Sequence, residues 1–294
     1  MSSPPVDLRP PVEPVETGVP GVLGFDRLNP RQGGQPAVVG PETGVPRCRV
    51  STGSTRGRGS SAGRGILEAV DTSGESIASI VGHLVVLVLF VNVGVRMLPA
   101  VRPFPWPAVV LTVLIGVPSL LQNWVPQLTD ALARDPNATL RQGQWWRILT
   151  ALGAQDGGLV AASFNLVVVA LALTLGGWIW GRLLATALYL LPSIILNVVA
   201  VFVWHAAGGG SSFANDGLMF SVFALALLVG TRDARHPSPR SIVVVRVCAC
   251  LATVVALVLV ATGDAHGVAM LLGLVLGAVA WWSSRAIRTR SAGG

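Results

Sequence analysis

The sequence predicts an all-α, polytopic membrane protein, and three observations support this fold class. Apolar residues make up 52% of the 294-residue chain and charged residues only 12%, with a mean hydropathy of +0.65, which lies outside the range of soluble globular domains. Several stretches after residue 75 reach the roughly 20 apolar residues that a helix needs to cross a bilayer. Helices are favoured there because backbone polar groups in lipid must be hydrogen-bonded within the segment. The lipid bilayer is therefore the first expected partner.

Residues 1–75 have a different composition and are predicted to form a disordered tail. They are dense in Pro, Gly, Ser and Arg, and the phrase Glu-Thr-Gly-Val-Pro occurs twice, at Glu16–Pro20 and Glu42–Pro46. Such a segment buries too little apolar surface to offset the entropy lost on ordering. It does not start with the basic-then-apolar pattern of a signal peptide, so we expect the first membrane helix to serve for targeting.

Apolar helices are predicted throughout the rest of the chain. The first belongs to an additional N-terminal segment, residues 76–103, and the other six form a membrane domain over residues 104–284. Residues 285–294 are predicted as a basic cytoplasmic tail. Tryptophans at or near most of the helix ends are typical of the membrane interface. The predicted helices are Ile77–Leu98, Trp106–Trp124, Gly158–Trp178, Leu183–Trp204, Gly217–Gly230, Ser241–Ala261 and Ala265–Trp282.

Arginine placement predicts how the chain lies across the membrane. There is no lysine, and all 21 basic residues are arginine. Cytoplasmic loops accumulate positive charge, so the arginine-rich side is expected to be cytoplasmic, with the C-terminus on that side of the plasma membrane. A full span at Ile77–Leu98 would put the tail before it outside, and the sequence leaves the side of this tail open. Nucleic-acid binding is not expected, because the arginines sit in short loops rather than in a basic stripe. The arginine-rich side carries Arg96, Arg102, Arg182, Arg232, Arg235, Arg240, Arg246, Arg285, Arg288 and Arg290.

Metal, cofactor and disulfide chemistry have no sequence signature. Cys248 and Cys250 lie two apart in one apolar segment and point to different faces, while Cys48 lies in the tail. No zinc-type spacing and no His-Glu-x-x-His pair occurs. We therefore expect neither a metal site nor a cofactor, and we interpret His83 and His205 as structural.

Three motifs carry a resemblance to a known family. The long loop 125–149 contains GQWWR at Gly143–Arg147, and a lone Asn165 follows within an apolar helix. His266 lies seven residues before Gly273, which in turn lies four residues before Gly277. This layout resembles the rhomboid intramembrane serine proteases. The resemblance implies a six-helix bundle and a serine-type endopeptidase that cleaves membrane-anchored proteins without a cofactor.

The resemblance also implies roles for individual residues. Trp145, Trp146 and Arg147 match a motif that anchors a half-submerged loop at the outer membrane surface. Asn165 matches an oxyanion-binding position, and Ala161 stands where the family carries an accompanying histidine. His266 occupies the position of the catalytic base.

The nucleophile position departs from the family pattern. Aligning Gly217 with the first glycine of the family's Gly-x-Ser-Gly motif places Met219 at the nucleophile, and an earlier register places Asp216 there. A thioether has no proton to lose, and a carboxylate would need a different covalent route. The expectation is a catalytically inactive, pseudoprotease-like member that binds membrane-anchored client proteins.

Two alternatives remain open at this point. The first is an active protease with a displaced serine, either Ser211 or Ser212, which follow the run Gly208–Gly210 on the outer side where His266 begins its helix. The second is a permease or channel, which is expected to show more polar residues deep in its spans and therefore ranks third.

Small residues predict one close helix contact. Gly273 and Gly277 belong to a stripe of small residues that recurs every four positions, and Gly217 and Ser221 could supply the facing stripe. This contact would bring the predicted helix Ala265–Trp282, which carries His266, against the predicted helix Gly217–Gly230.

Overall fold

The computed structural model describes residues 77–229 and 239–291, and the regular structure in these ranges is helical, without a β-strand. The tail with its repeated phrase and Cys48 lies outside the described residues. Ten α-helices and one short 3-10 turn, Ala151–Gly153, occur in the described part. The helices are α1 (Ile77–Arg96), α2 (Trp106–Leu121), α3 (Gln127–Leu132), α4 (Pro136–Gln142), α5 (Arg147–Thr150), α6 (Gly158–Trp180), α7 (Arg182–Phe202), α8 (Ser212–Leu228), α9 (Pro239–Ala261) and α10 (Ala265–Ser291).

Five of these helices, namely α1, α6, α7, α9 and α10, are long and apolar enough to cross a membrane. Two further apolar helices, α2 and α8, are shorter at 16 and 17 residues. The chain is thus a helical, multi-pass membrane protein, as the sequence predicts at this coarser level.

Two helix ends differ from the predicted bounds by more than three residues. Helix α8 begins at Ser212 rather than Gly217, because Asn215 and Asp216, which look like loop residues in the sequence, are buried inside its first turns. Helix α10 runs on to Ser291, so most of the predicted basic tail is helical. Arginine is a good helix former and is favoured near a helix C-terminus, which explains the extension.

Helix α8 lies at the centre of the described bundle. Every residue from Ala214 to Ala226 is buried, and the helix packs against α1, α6, α7, α9 and α10. A helix that is buried on all sides needs no polar face. Helix α1 packs mainly on α9 and also contacts α6 and α8, so this additional N-terminal helix reaches the central helix.

The most extensive contact between described helices joins α8 to α10. A Cβ atom added to Gly273 would collide with the backbone carbonyl of Gly217 and lie 2.8 Å from its Cα. One added to Gly277 would lie 2.6 Å from the Cα of Ser221. Glycine on α10 therefore lets the two backbones touch, and this fixes the start of α10 beside the start of α8.

Candidate active site

Ser212 and His266 meet where α8 and α10 begin. His266 Nε2 lies 3.0 Å from Ser212 Oγ, and His266 Nδ1 lies 2.7 Å from Asp264 Oδ1. A carboxylate accepts hydrogen bonds, so in the neutral ring Nδ1 carries the proton and the Nε2 lone pair faces the serine hydroxyl. The arrangement of serine, histidine and carboxylate is that of a nucleophile, a general base and an orienting group.

Asp264 is held by three hydrogen bonds at the turn between α9 and α10. Its Oδ1 accepts from the ring and the backbone N–H of His266, and its Oδ2 accepts from Ser79 Oγ at 2.7 Å. Burial raises the pKa of Asp264, but the hydrogen bonds from His266 and Ser79 and the charge of His266 outweigh burial and hold its pKa well below the ordinary value. Asp264 is therefore a carboxylate throughout the physiological pH range.

A second histidine from α1 packs against the first. The rings of His83 and His266 are edge to face, with centroids 4.7 Å apart. His83 Nδ1 donates to the backbone carbonyl of Ser79 at 2.7 Å, and its Nε2 lies 3.5 Å from Asp216 Oδ2. Asp216 is only 1% exposed. Neither His83 Nε2 nor Asp216 Oδ2 has a hydrogen-bond partner within the described part of the chain.

Ser212 opens onto a small pocket between α1, α6 and α8. Asn165 lines this pocket, and its Nδ2 donates to Gln155 Oε1 at 2.9 Å. Gln155 Nε2 in turn donates to Ser211 Oγ at 3.1 Å. The pocket thus places an amide donor and the first turn of α8 around one small space. Its lining residues are His83, Leu87, Phe164, Asn165, Val168, Ser212, Asn215, Asp216 and Met219.

The two residues that the sequence alignment placed at the nucleophile position also line this pocket. Met219 is buried on α8, about two helical turns beyond Ser212. Asp216 lies about one turn beyond Ser212 and faces His83. The side chain that is hydrogen-bonded to His266 Nε2 is Ser212.

Two nearby serines, Ser211 and Ser221, have other partners. Ser211 is fully buried and accepts from Gln155. Ser221 accepts from Trp180 Nε1 at 3.1 Å and donates to the carbonyl of Leu218 at 2.7 Å. It lies against Gly277, in the contact between α8 and α10.

The loop motif lies at one end of the bundle. Arg147 donates to the carbonyls of Asp130 and Ala133 at 2.6 and 2.8 Å, and so ties α5 to the end of α3. Trp145 stacks on Phe202 at a centroid distance of 6.0 Å. Trp145 and Trp146 are both about half exposed. These positions suit a loop that rests at a membrane interface.

The same loop fixes the glycine-rich segment in front of Ser212. Arg134 and Gly208 exchange two backbone hydrogen bonds, at 2.8 and 3.0 Å. The Arg134 side chain donates to the carbonyl of Ala206 at 2.9 Å and also to Asn197. Gly209 passes so close to Ala154 that an added Cβ would lie 2.8 Å from its carbonyl oxygen. The start of α8 is therefore anchored by the loop.

Several of these site residues were not identified from the sequence. Asp264 was not named, although it stands two residues before His266. Ser212 was named only as one of two displaced serines, although Gly210-Ser211-Ser212 is a Gly-x-Ser triplet. No sequence signal joined His83 and Asp216 to His266, because α1, α8 and α10 are far apart in the sequence. The structure brings one ligand atom from each of His83, Asp216 and His266 within 4.8 Å of one another.

In comparisons with known proteins, no protein family, curated protein or solved structure matches the chain.

Proposed function

We propose that the chain is an intramembrane serine protease that uses Ser212 as its nucleophile and His266 as its general base. The single observation that carries this proposal is the 3.0 Å contact between Ser212 Oγ and His266 Nε2, with Asp264 Oδ1 on the other ring nitrogen at 2.7 Å. A hydroxyl oxygen becomes an effective nucleophile when a base within hydrogen-bond reach can take its proton.

The geometry supports the usual two-step acyl transfer. Ser212 Oγ attacks the carbonyl carbon of the substrate while its proton passes to His266 Nε2. The tetrahedral intermediate collapses when His266 returns that proton to the leaving amine, which leaves an acyl group on Ser212. A water molecule, deprotonated by His266, then releases the acid and restores the serine. Asp264 stabilises the imidazolium and keeps Nδ1 protonated throughout.

Two features supply stabilisation for the oxyanion. Ser212 is the first residue of α8, and the first turn of a helix leaves backbone N–H groups without intrahelical acceptors and carries partial positive charge. Asn165 lines the same pocket. Its Nδ2 donates one hydrogen to Gln155 Oε1 and keeps a second N–H for the oxyanion. A single well-placed donor is worth about 10²- to 10³-fold in rate, so the absence of a histidine at Ala161 lowers the rate without removing catalysis.

The resemblance to rhomboid proteases gives the proposed substrate class, which is membrane-anchored proteins. Gly210-Ser211-Ser212 matches the first three positions of the family's Gly-x-Ser-Gly motif, with Phe213 in the last position. The family uses a serine–histidine dyad. In this chain the carboxylate of Asp264 adds a third group to that pair. In this register Met219 lies within the pocket and does not occupy the nucleophile position.

Fluorophosphonate labelling of the detergent-solubilised protein tests the proposal. The probe reacts with activated serines, so the wild type is expected to label and Ser212→Ala is expected not to. Ser211→Ala is the matched control, since it removes a neighbouring hydroxyl and should retain labelling. His266→Ala should lower the labelling rate by several orders of magnitude. Equal labelling of the wild type and Ser212→Ala, or none in a folded wild type, would contradict the proposal.

The second candidate is a non-catalytic protein that binds membrane-anchored clients. Ala161, which offers no oxyanion donor, and the buried Met219 in the pocket favour it. An absence of labelling in folded protein, together with crosslinking of a membrane-anchored client to pocket residues such as Phe164, would establish this candidate in place of the first.

A further inference from the structure

We propose that His83, Asp216 and His266 form a binding site for a divalent transition-metal ion, with Zn²⁺ the best fit, and that the bound ion inhibits the protease. The inhibitory part rests on the proposed function, whereas metal binding does not. The three residues come from α1, α8 and α10, so the site exists only in the folded bundle.

The spacing of the ligand atoms suits zinc after a small adjustment. One ligand atom from each residue lies within 4.8 Å of the others, and His83 Nε2 is 3.5 Å from Asp216 Oδ2. Zinc bonds of about 2.0–2.1 Å place tetrahedral ligand atoms roughly 3.4 Å apart. Side-chain rotations that shorten the separations from at most 4.8 Å to about 3.4 Å would therefore complete the zinc site. Two histidines, one carboxylate and a fourth position for water form a common zinc ligand set.

Both histidines already have their other ring nitrogen engaged. His83 Nδ1 donates to the carbonyl of Ser79, and His266 Nδ1 donates to Asp264. Histidines that bind metals usually donate their second N–H to a carbonyl or carboxylate in this way, which fixes the tautomer and directs the free nitrogen at the ion. Nε2 is thus the available nitrogen on both rings.

Charge provides an independent reason for a cation at this place. Asp216 is 1% exposed, and its Oδ2 has no hydrogen-bond partner in the described part of the chain. A buried carboxylate oxygen without a hydrogen bond is costly unless a positive charge compensates it. Protonation of His83 would supply one charge, and a divalent ion would supply more while also binding His83 Nε2, which likewise has no hydrogen-bond partner there.

The consequence for catalysis follows from the lone pair of His266 Nε2. This one lone pair cannot bind a metal ion and accept the proton of Ser212 at the same time. An occupied site therefore leaves Ser212 without its base. The additional helix α1 contributes a ligand to this site, which gives that helix a role beyond packing.

Visible absorption of bound Co²⁺ tests the site directly, on protein purified without a polyhistidine tag. Wild type is expected to bind one Co²⁺ per chain with tetrahedral absorption bands that Zn²⁺ removes. Asp216→Asn and His83→Ala are expected to weaken binding at least tenfold. His205→Asn is the matched control, because it removes a histidine outside the cluster at a positive φ of 49° that asparagine tolerates, and it should bind like the wild type.

A second measurement distinguishes failure of the metal site from failure of the proposed protease function. Zn²⁺ is expected to slow fluorophosphonate labelling at least tenfold in the wild type and to have little effect in His83→Ala, each compared with the same protein in chelator. Co²⁺ bands that are absent in folded wild type, or unchanged in both Asp216→Asn and His83→Ala, would overturn the metal site. Metal binding by a protein that never labels would support the site and contradict the proposed protease.

Discussion

Asp264 illustrates how much one residue changes the interpretation of this chain. In the sequence it is one of several acidic residues on the side predicted to be outside. In the structure it accepts hydrogen bonds from both the ring and the backbone of His266, and from Ser79 on α1. Its partners include one residue 185 positions away, so no local pattern could show them. Asp264 thereby joins α1 to the proposed catalytic pair and orients the His266 ring.

Asp264→Asn is predicted to slow fluorophosphonate labelling by on the order of 10²- to 10⁴-fold, because an amide permits the wrong imidazole tautomer. Labelling kinetics measure this effect. Asp135→Asn is the control, because Asp135 caps α4 and asparagine is an equally good cap. Unchanged labelling in Asp264→Asn would show that the carboxylate does not assist Ser212.

The lowered pKa of Asp264 also predicts how stability depends on pH. A carboxyl whose pKa is lower in the folded state stabilises the fold above its unfolded-state pKa of about 3.9, and this contribution is lost as the pH falls through the folded-state value. Wild type should therefore exceed Asp264→Asn in Tm at pH 6, and the difference should shrink below pH 4. A Tm difference that is constant from pH 6 to pH 3 would contradict this prediction.

At the scale of helices, the length and composition of the apolar stretches predict most of the membrane spans. The spans lie close to their expected positions because continuous apolar stretches dominate the sequence. The start of α8 was missed, since Ser212, Asn215 and Asp216 look like loop residues. They lie in the central helix, which packs among five others. There Ser212 meets His266 and Asp216 faces His83, neighbours that the sequence does not display.

Gly273→Ala is predicted to reduce stability, because its Cβ would meet the backbone of Gly217. Overpacking of this kind costs about 1–3 kcal/mol, and it should also lower labelling by moving His266 away from Ser212. Gly177→Ala in α6 is the matched control, because an added Cβ there meets nothing within 4 Å. Thermal unfolding in detergent measures both. A Gly273→Ala protein as stable as Gly177→Ala would contradict the close contact of α8 with α10.

For the described part of the molecule, the candidate site lies at one end of an apolar bundle, where α8 and α10 begin. Only 28–50% of the residues in the five candidate spans are buried inside the bundle, so the rest of each span is available to lipid. Ser212 and His266 both lie at helix starts, on the side that arginine placement predicts to be outside. The sequence predicts this arrangement in outline, whereas the meeting of α1, α8 and α10 depends on packing across long sequence separations.

Cysteine accessibility tests the predicted orientation of the molecule. In a variant without the three natural cysteines, Asn137→Cys should react with a membrane-impermeant maleimide in intact cells, because its loop lies on the arginine-poor side. Val101→Cys, which is highly exposed between α1 and α2, should react only after the membrane is permeabilised. The reverse pattern would place Ser212 on the cytoplasmic side.

The most direct measurement is to locate the fluorophosphonate adduct by peptide mass spectrometry after labelling the wild-type protein. An activated serine beside His266 predicts a single modified residue, Ser212, whose modification is lost in His266→Ala. An adduct on Ser211 or on another serine, with Ser212 unmodified, would contradict the assignment of the nucleophile.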